Sequence, residues 1–176
     1  YSYSRSANPT VRALENKLTD LEGGTDTICF GTGMAAINGL YLAYLNAGDH
    51  AIVSDVVYGG TYRLSTKVYS RFGVEFSFVG RTPGFGLAAL VDAADAANVR
   101  KAIRKDTKLI LTETPANPTL KLTDLRAVSA VAREHKILHA VDNTFLTPYY
   151  QRPLELGADL VLHSTTKYFD GHNATV

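Results

Sequence analysis

Apolar runs with strand character alternate with segments of helical spacing along the whole chain, and no other feature restricts its fold as strongly. Val11, Leu14, Leu18 and Leu21 recur at helical spacing until Gly23-Gly24 closes the pattern. The same reading predicts strands over 27–30, 51–54, 74–79, 108–112, 137–141 and 158–163. Helices are predicted over 35–45, 62–72, 95–104 and 123–135, with a loop at 81–86 and a short helical turn at 153–156. Such alternation implies an α/β fold, a mostly parallel sheet sandwiched by helices.

Composition removes several function classes. The 18 Lys and Arg residues nearly balance 17 Asp and Glu, so there is no basic footprint for nucleic acid and no polybasic membrane patch. No apolar stretch approaches the roughly 20 residues of a membrane span. The one cysteine, Cys29, cannot form an internal disulfide, which favours a reducing, cytoplasmic setting, and its apolar neighbours suggest a small core residue. At 176 residues the length suits one domain, yet the chain opens on Tyr1 and stops at Val176 in a Gly/Asn/Thr stretch, which suggests a segment of a longer protein.

The unusual polar residues fall where strands stop. Tyr58, Asn117, Asp142 and the run Ser164-Thr165-Thr166-Lys167 all follow the carboxyl ends of expected strands, the edge at which open α/β sheets bind ligands. Residues two apart share a face in extended chain, so Ser164 and Thr166 can hold an anion together while Lys167 points elsewhere. A lysine there is a nucleophile if desolvated, and otherwise a surface residue. Gly31-Thr32-Gly33-Met34 opens a helix whose free N–H groups can hold a phosphate, or it is a plain tight turn. Asp142 ends an apolar run and wants a cation, or else caps a turn through Asn143 and Thr144. Asn117 is aimed by the prolines on either side of it, and Tyr58, before two glycines, can lie over a flat ligand or pack against the protein. The five histidines lack metal-ligand spacing; His139 and His163 read as core or supporting residues. A phosphate cradle, a lysine, a carboxylate for a ring nitrogen and an aromatic face are together what pyridoxal 5'-phosphate requires.

Several stretches, in order, carry a resemblance. They are Tyr3-Ser4-Arg5 with Asn8-Pro9-Thr10, Thr32-Gly33-Met34, Tyr58-Gly59-Gly60-Thr61, Glu113-Thr114-Pro115-Ala116-Asn117-Pro118, Val141-Asp142-Asn143-Thr144, 151–159, and Ser164 to Tyr168. The chain resembles the Cys/Met-metabolism (trans-sulfuration) family of pyridoxal-phosphate enzymes, of fold type I, like aspartate aminotransferase. The resemblance implies an N-terminal arm over 1–10 and a large cofactor-binding domain over 11–176, with a C-terminal domain and its substrate-carboxylate arginine missing, so that these residues alone would be inactive. It implies Lys167 as the Schiff-base lysine and proton shuttle, and Asp142 as the partner of the ring nitrogen. Tyr58 stacks on the ring and assists as acid or base, and Asn117 bonds the ring hydroxyl or the substrate carboxylate. Gly33, Met34, Ser164 and Thr166 hold the phosphate, and Tyr3 and Arg5 reach the phosphate of a neighbouring subunit, so a homodimer or homotetramer shares its sites.

The implied reaction is elimination or replacement on a sulfur amino acid, of the cystathionine γ-lyase or γ-synthase type, which Tyr58-Gly59-Gly60-Thr61 resembles most. Methionine γ-lyase, cystathionine β-lyase and homoserine sulfhydrylase are alternatives; Gly60 replaces the cysteine usual in the first. Phe169-Asp170-Gly171-His172-Asn173 departs from the commoner Leu-Gly-Gly-His-Ser pattern. A rival of another class is a nicotinamide-dependent oxidoreductase, because Gly31-x-Gly33-x-x-Ala36 after a strand, with Asp55 ending the next, fits the Rossmann pattern.

Overall fold

A computed structural model describes residues 3–80, 91–92 and 94–172. Its elements are α1 (Pro9–Glu22), α2 (Gly33–Tyr44), β1 (His50–Ser54), α3 (Gly59–Arg63), β2 (Glu75–Val79), β3 (Val91–Asp92), α4 (Ala94–Ala102), β4 (Thr107–Glu113), β5 (Leu122–Thr123), α5 (Leu125–Glu134), β6 (Leu138–Asp142), α6 (Thr147–Tyr150) and β7 (Leu160–Leu162). The expected loop at 81–86 lies outside the described residues.

Five strands form one sheet in the order β2-β1-β4-β6-β7, every pair parallel; β3 and β5 pair separately. Alternate residues along each strand serve opposite faces. Ala51, Val53, Leu109 and Leu111 pack with Ile37, Leu40 and Tyr41 of α2 on one side. Ile52 and Ile110 meet Val99 of α4 and Val128, Val131 and Ala132 of α5 on the other. Burial on both faces is why these strands read as unbroken apolar runs.

From β1 the chain moves outward to β2, then returns past β1 to β4 and continues to β6 and β7. The turn-round separates the carboxyl ends of β1 and β4, and such a switch point opens a crevice at that edge. The expected α/β architecture is therefore present, as are five of the six expected strands, with boundaries moved by a residue or two.

Two local expectations are corrected. The run at 27–30 is not a strand of the sheet: Ile28 is 73% exposed and Phe30 43%. Side chains of α1 serve this segment instead, Cys29 N–H donating to Glu15 Oε1 at 3.0 Å and the Thr27 and Thr19 hydroxyls meeting at 2.8 Å. Cys29 is accordingly half-buried rather than a core residue, with its thiol pKa raised by burial and by the charge of Glu15. The helix expected over 62–72 is broken into α3, a π turn over Leu64–Val68 and a 3-10 turn over Tyr69–Phe72. Hydroxyls explain the irregularity, since Ser65, Thr66 and Ser70 each donate to the carbonyl four residues earlier. Ser65 Oγ also meets the hydroxyl of fully buried Tyr41 at 2.9 Å.

The first and fifth helices begin on caps that the sequence contains. Asn8 Oδ1 accepts from Thr10 and Val11 N–H, and Asp124 Oδ1 accepts from Ala127 N–H. His139 on β6 is fully buried, as expected of a core histidine, with Nε2 3.0 Å from Thr112 Oγ1 and Nδ1 2.8 Å from Ser129 Oγ.

Burial lowers the His139 pKa from 6.5 to about 4. The unfolded chain then binds the extra proton first, so stability from this group is complete above about pH 6.5 and declines as pH falls toward 4. The group removes about 3 kcal/mol across that window. Denaturant titrations of the wild type and of His139→Gln at several pH values should show the variant with the flatter acid limb; equal slopes would contradict this.

Candidate active site

All four cleft-forming loops leave the same edge because all the strands run the same way. They enclose a cavity of about 250 Å³ lined by Tyr58, Asn117, Asp142, Ser164, Thr166 and Lys167, together with Gly33 and Met34 at the start of α2. Eight of the ten sequence-predicted site residues thus converge. Tyr3 and Arg5 do not line this cavity: they lie in an exposed turn before α1, where the Arg5 guanidinium bonds the Tyr3 hydroxyl and sits 5.3 Å from its ring centre.

Thr32 caps α2, its Oγ1 accepting from Ala35 N–H at 2.9 Å and its carbonyl from Ala36 N–H at 3.0 Å. The N–H groups of Gly33 and Met34 have no intrahelical partner and are left for an anion. Gly33 is needed for space, because a Cβ there would stand 2.9 Å from Ser164 Cβ. Ser164 Oγ lies 3.4 Å from Thr166 Oγ1, so the two hydroxyls share one side as the sequence implies. Lys167 differs from expectation in direction. The chain turns after Ser164, and Lys167 Nζ comes back to within 3.3 Å of Ser164 Oγ. The amine therefore borders the hydroxyl pair, and its side chain is exposed rather than desolvated.

Of its two sequence readings, Asp142 shows the turn cap, through Thr144. Its Oδ1 accepts from Thr144 N–H at 3.0 Å and from the Thr144 hydroxyl at 2.5 Å, while Oδ2 has no protein donor among the described residues. Burial raises its pKa, opposed by the Thr144 bonds and by the nearby charges of His163 and Lys167. Thr144 Oγ1 also accepts from Ser164 N–H at 2.9 Å, joining the carboxylate to the hydroxyl loop.

Four residues take a part in the site that sequence reasoning does not assign, although Thr144 and Gly60 figure there as turn and motif residues. Thr144 is the joint just described. Glu113 closes β4 and accepts from Tyr58 N–H at 2.7 Å and Asn117 N–H at 2.8 Å. Gly60 gives the Tyr58 ring room, since a Cβ there would lie 2.5 Å from Tyr58 Cε1. Glu22 of α1 is buried against His163, Oε1 to Nε2 at 2.5 Å. Glu113 could have been found by the rule that found Asp142, for both are carboxylates closing apolar strands; the partner of His163 is 141 residues away.

The Rossmann alternative loses its premise, since no strand of the sheet precedes Gly31 and Asp55 is paired with Lys121 at 2.9 Å. Among the described residues no group of three or more His, Cys, Asp or Glu could hold a metal, and no helix is long and apolar enough to cross a membrane. The residues present fit pyridoxal phosphate: an anion seat with free amides and hydroxyls, an amine beside it, and a carboxylate oxygen without a protein donor share one cavity.

Residues 1–176 match the family model described as Cys/Met metabolism PLP-dependent enzyme. The chain is 49% identical to cystathionine γ-lyase and 48% to a cystathionine β-lyase, both of Bacillus subtilis, with 100% and 98% of the chain covered. It spans 43% and 41% of the length of those two relatives. The crystal structure of cystathionine γ-lyase from Lactobacillus plantarum complexed with L-serine superposes with a TM-score of 0.90 at 43% identity, over 100% of this chain and 43% of that one.

Gly33→Ala should force the Ser164 loop away from the helix start and weaken pyridoxal phosphate binding by about tenfold, the scale of a 1–2 kcal/mol packing conflict. Equilibrium titration of the full-length apoprotein measures this; unchanged affinity would mean that the close approach has no part in holding the ligand.

Proposed function

From a chain that belongs to the Cys/Met-metabolism family of pyridoxal-phosphate-dependent enzymes, we propose elimination or replacement on a sulfur amino acid, of the cystathionine γ-lyase or γ-synthase type. The observation that carries this reading is the meeting of Lys167, Asp142, the Ser164–Thr166 hydroxyl pair and the start of α2 around one cavity.

Gly33 and Met34 N–H groups with the Ser164 and Thr166 hydroxyls would hold the phosphate. Asp142 would face the ring nitrogen, Tyr58 the ring, and Asn117 the ring hydroxyl or the substrate carboxylate. Lys167 would bond the aldehyde. When bound, the cofactor supplies that aldehyde for an amine and a ring that accepts electrons from the neighbouring carbon.

The side chains supply the proton handling. Asp142 Oδ2 is the acceptor without a protein donor, so it can hold a proton shared with a ring nitrogen, and Thr144 orients it through Oδ1. Lys167 Nζ, when free, would take a proton from the substrate carbon and return it. Tyr58 lines the same cavity and would serve as a second acid or base. Loss of charge at Asp142 would remove the partner that keeps the ring nitrogen protonated, so its hydrogen bonds to Thr144 serve catalysis by opposing the effect of burial.

Tyr3 and Arg5 act in the site of a neighbouring copy, a role supported by their exposure and their place outside this chain's own cavity. The working unit is a homodimer or homotetramer in the cytoplasm, a placement that suits the single half-buried cysteine.

Borohydride reduction of the full-length holoenzyme and peptide mapping should place the cofactor on Lys167; a label on any other lysine sinks the assignment. Lys167→Ala should reduce turnover by at least 1000-fold, the scale expected for removing a group that is both nucleophile and general base. Product analysis with cystathionine alone, and with an activated homoserine ester plus cysteine, separates elimination from replacement.

A further inference from the structure

Glu113 is a buried carboxylate that the mechanism above does not use. It closes β4, stands in register with Asp142 on β6, and lies at the switch point between β1 and β4. In-register residues of parallel neighbours face the same side of the sheet, so two carboxylates share one corner of the cleft. A like-charged buried neighbour is expensive, and an apolar residue here would avoid the cost.

The carboxylate is engaged on both oxygens. Oε2 accepts the main-chain N–H of Tyr58 at 2.7 Å and Oε1 that of Asn117 at 2.8 Å. Tyr58 is in the loop after β1 and Asn117 in the loop after β4. Among the described residues neither N–H has another partner: Tyr58 precedes the first turn of α3, and Asn117 lies between Pro115 and Pro118. One side chain thus sets the height of an aromatic ring and the aim of an amide that both border the same cavity. We propose that Glu113 is a positioning residue of this cleft, the acceptor that ties the main-chain N–H groups of the Tyr58 and Asn117 loops together on the cavity side, with the Asp55–Lys121 ion pair linking the same loops farther out.

Two N–H donors, with no other hydrogen-bonding partner among the described residues, suit an ionised acceptor. Burial nevertheless raises the Glu113 pKa to about 7, with the Asn117 bond opposing, the Asp142 charge reinforcing and the Tyr58 bond opposing. Asp142, Tyr58, His163 and Lys167 line the cavity with it, and Asp55 and Lys121 face its other side as an ion pair. The clamp is therefore firm above about pH 7 and slackens as pH falls through that value.

The inference concerns loop geometry and extends the functional reading, and its test separates the two. Hydrogen exchange of the full-length apoprotein is compared between wild type and Glu113→Gln, whose amide keeps one acceptor and turns a donor toward the second N–H. Peptides covering 56–62 and 114–120 should exchange about tenfold faster in the variant, with the β1 and β4 cores unchanged, as expected for a lost bond to a charged acceptor. Pyridoxal phosphate affinity should fall by a similar factor at pH 8 and by less at pH 6, since the wild-type clamp is already slack there. In the background of Tyr58→Ala with Asn117→Ala, adding Glu113→Gln should cost no further affinity. Exchange in both loops within twofold of wild type overturns the proposal, and so does loosening spread evenly over the protein. If the Gln variant does not fold, Glu113→Asp, which keeps the charge but shortens the reach, should loosen the same two loops; failure of both to fold also overturns it. Loosened loops in a wild type that binds no pyridoxal phosphate would leave the inference standing and overturn the functional reading.

Discussion

The cleft depends on the parallel ladder between β4 and β6, where Leu109 pairs with Leu138 and the register runs unbroken to Glu113 opposite Asp142. That pairing sets two carboxylates at the same height on the carboxyl edge. A slip of one residue would turn Asp142 away from the cavity and bury its charge against α5, a cost the alternating apolar contacts on both faces prevent. Ile110 among Val128 and Val131, and Leu109 and Leu111 under α2, hold the strands at that register.

Polar connections then carry the register into chemistry. Ser164 N–H donates to Thr144 Oγ1, which donates to Asp142 Oδ1, so the anion loop and the carboxylate share one hydroxyl. Behind them the fully buried Asn143 donates to the Gln151 carbonyl at 2.8 Å and accepts from Gln151 Nε2 at 2.9 Å. A buried network with its members satisfied resists rearrangement, because breaking one bond strands a partner in low dielectric. The cavity wall is therefore held by paired groups around Thr144 and Asn143 and open at Lys167, whose amine lies exposed beside Ser164 Oγ.

Much of this was legible in the residues themselves. Apolar runs bounded by Tyr58, Asn117, Asp142 and Ser164 are enough to place four loops at one edge, because a parallel sheet leaves its carboxyl ends together. Caps such as Asn8 and Asp124 are equally local. Less legible were features that depend on distant partners. The run at 27–30 has strand composition, yet its hydrogen bonds go to Glu15 and Thr19 on α1. Glu22 gives no local sign that it ends against His163. The direction of Lys167 depends on the turn after Ser164, which alternation in an extended chain does not foresee.

The sequence by itself determined the α/β alternation, the helix starts and the chemical types gathered at one edge, since periodicity, capping and strand ends are short-range properties. The tertiary structure alone decided which of those side chains touch. It paired Glu113 with the amides of Tyr58 and Asn117, brought the start of α2 within a methyl group's reach of Ser164, and left one oxygen of Asp142 without a donor among the described residues. Those outcomes rest on register and on the order of strands, which arise from packing among residues far apart in the chain.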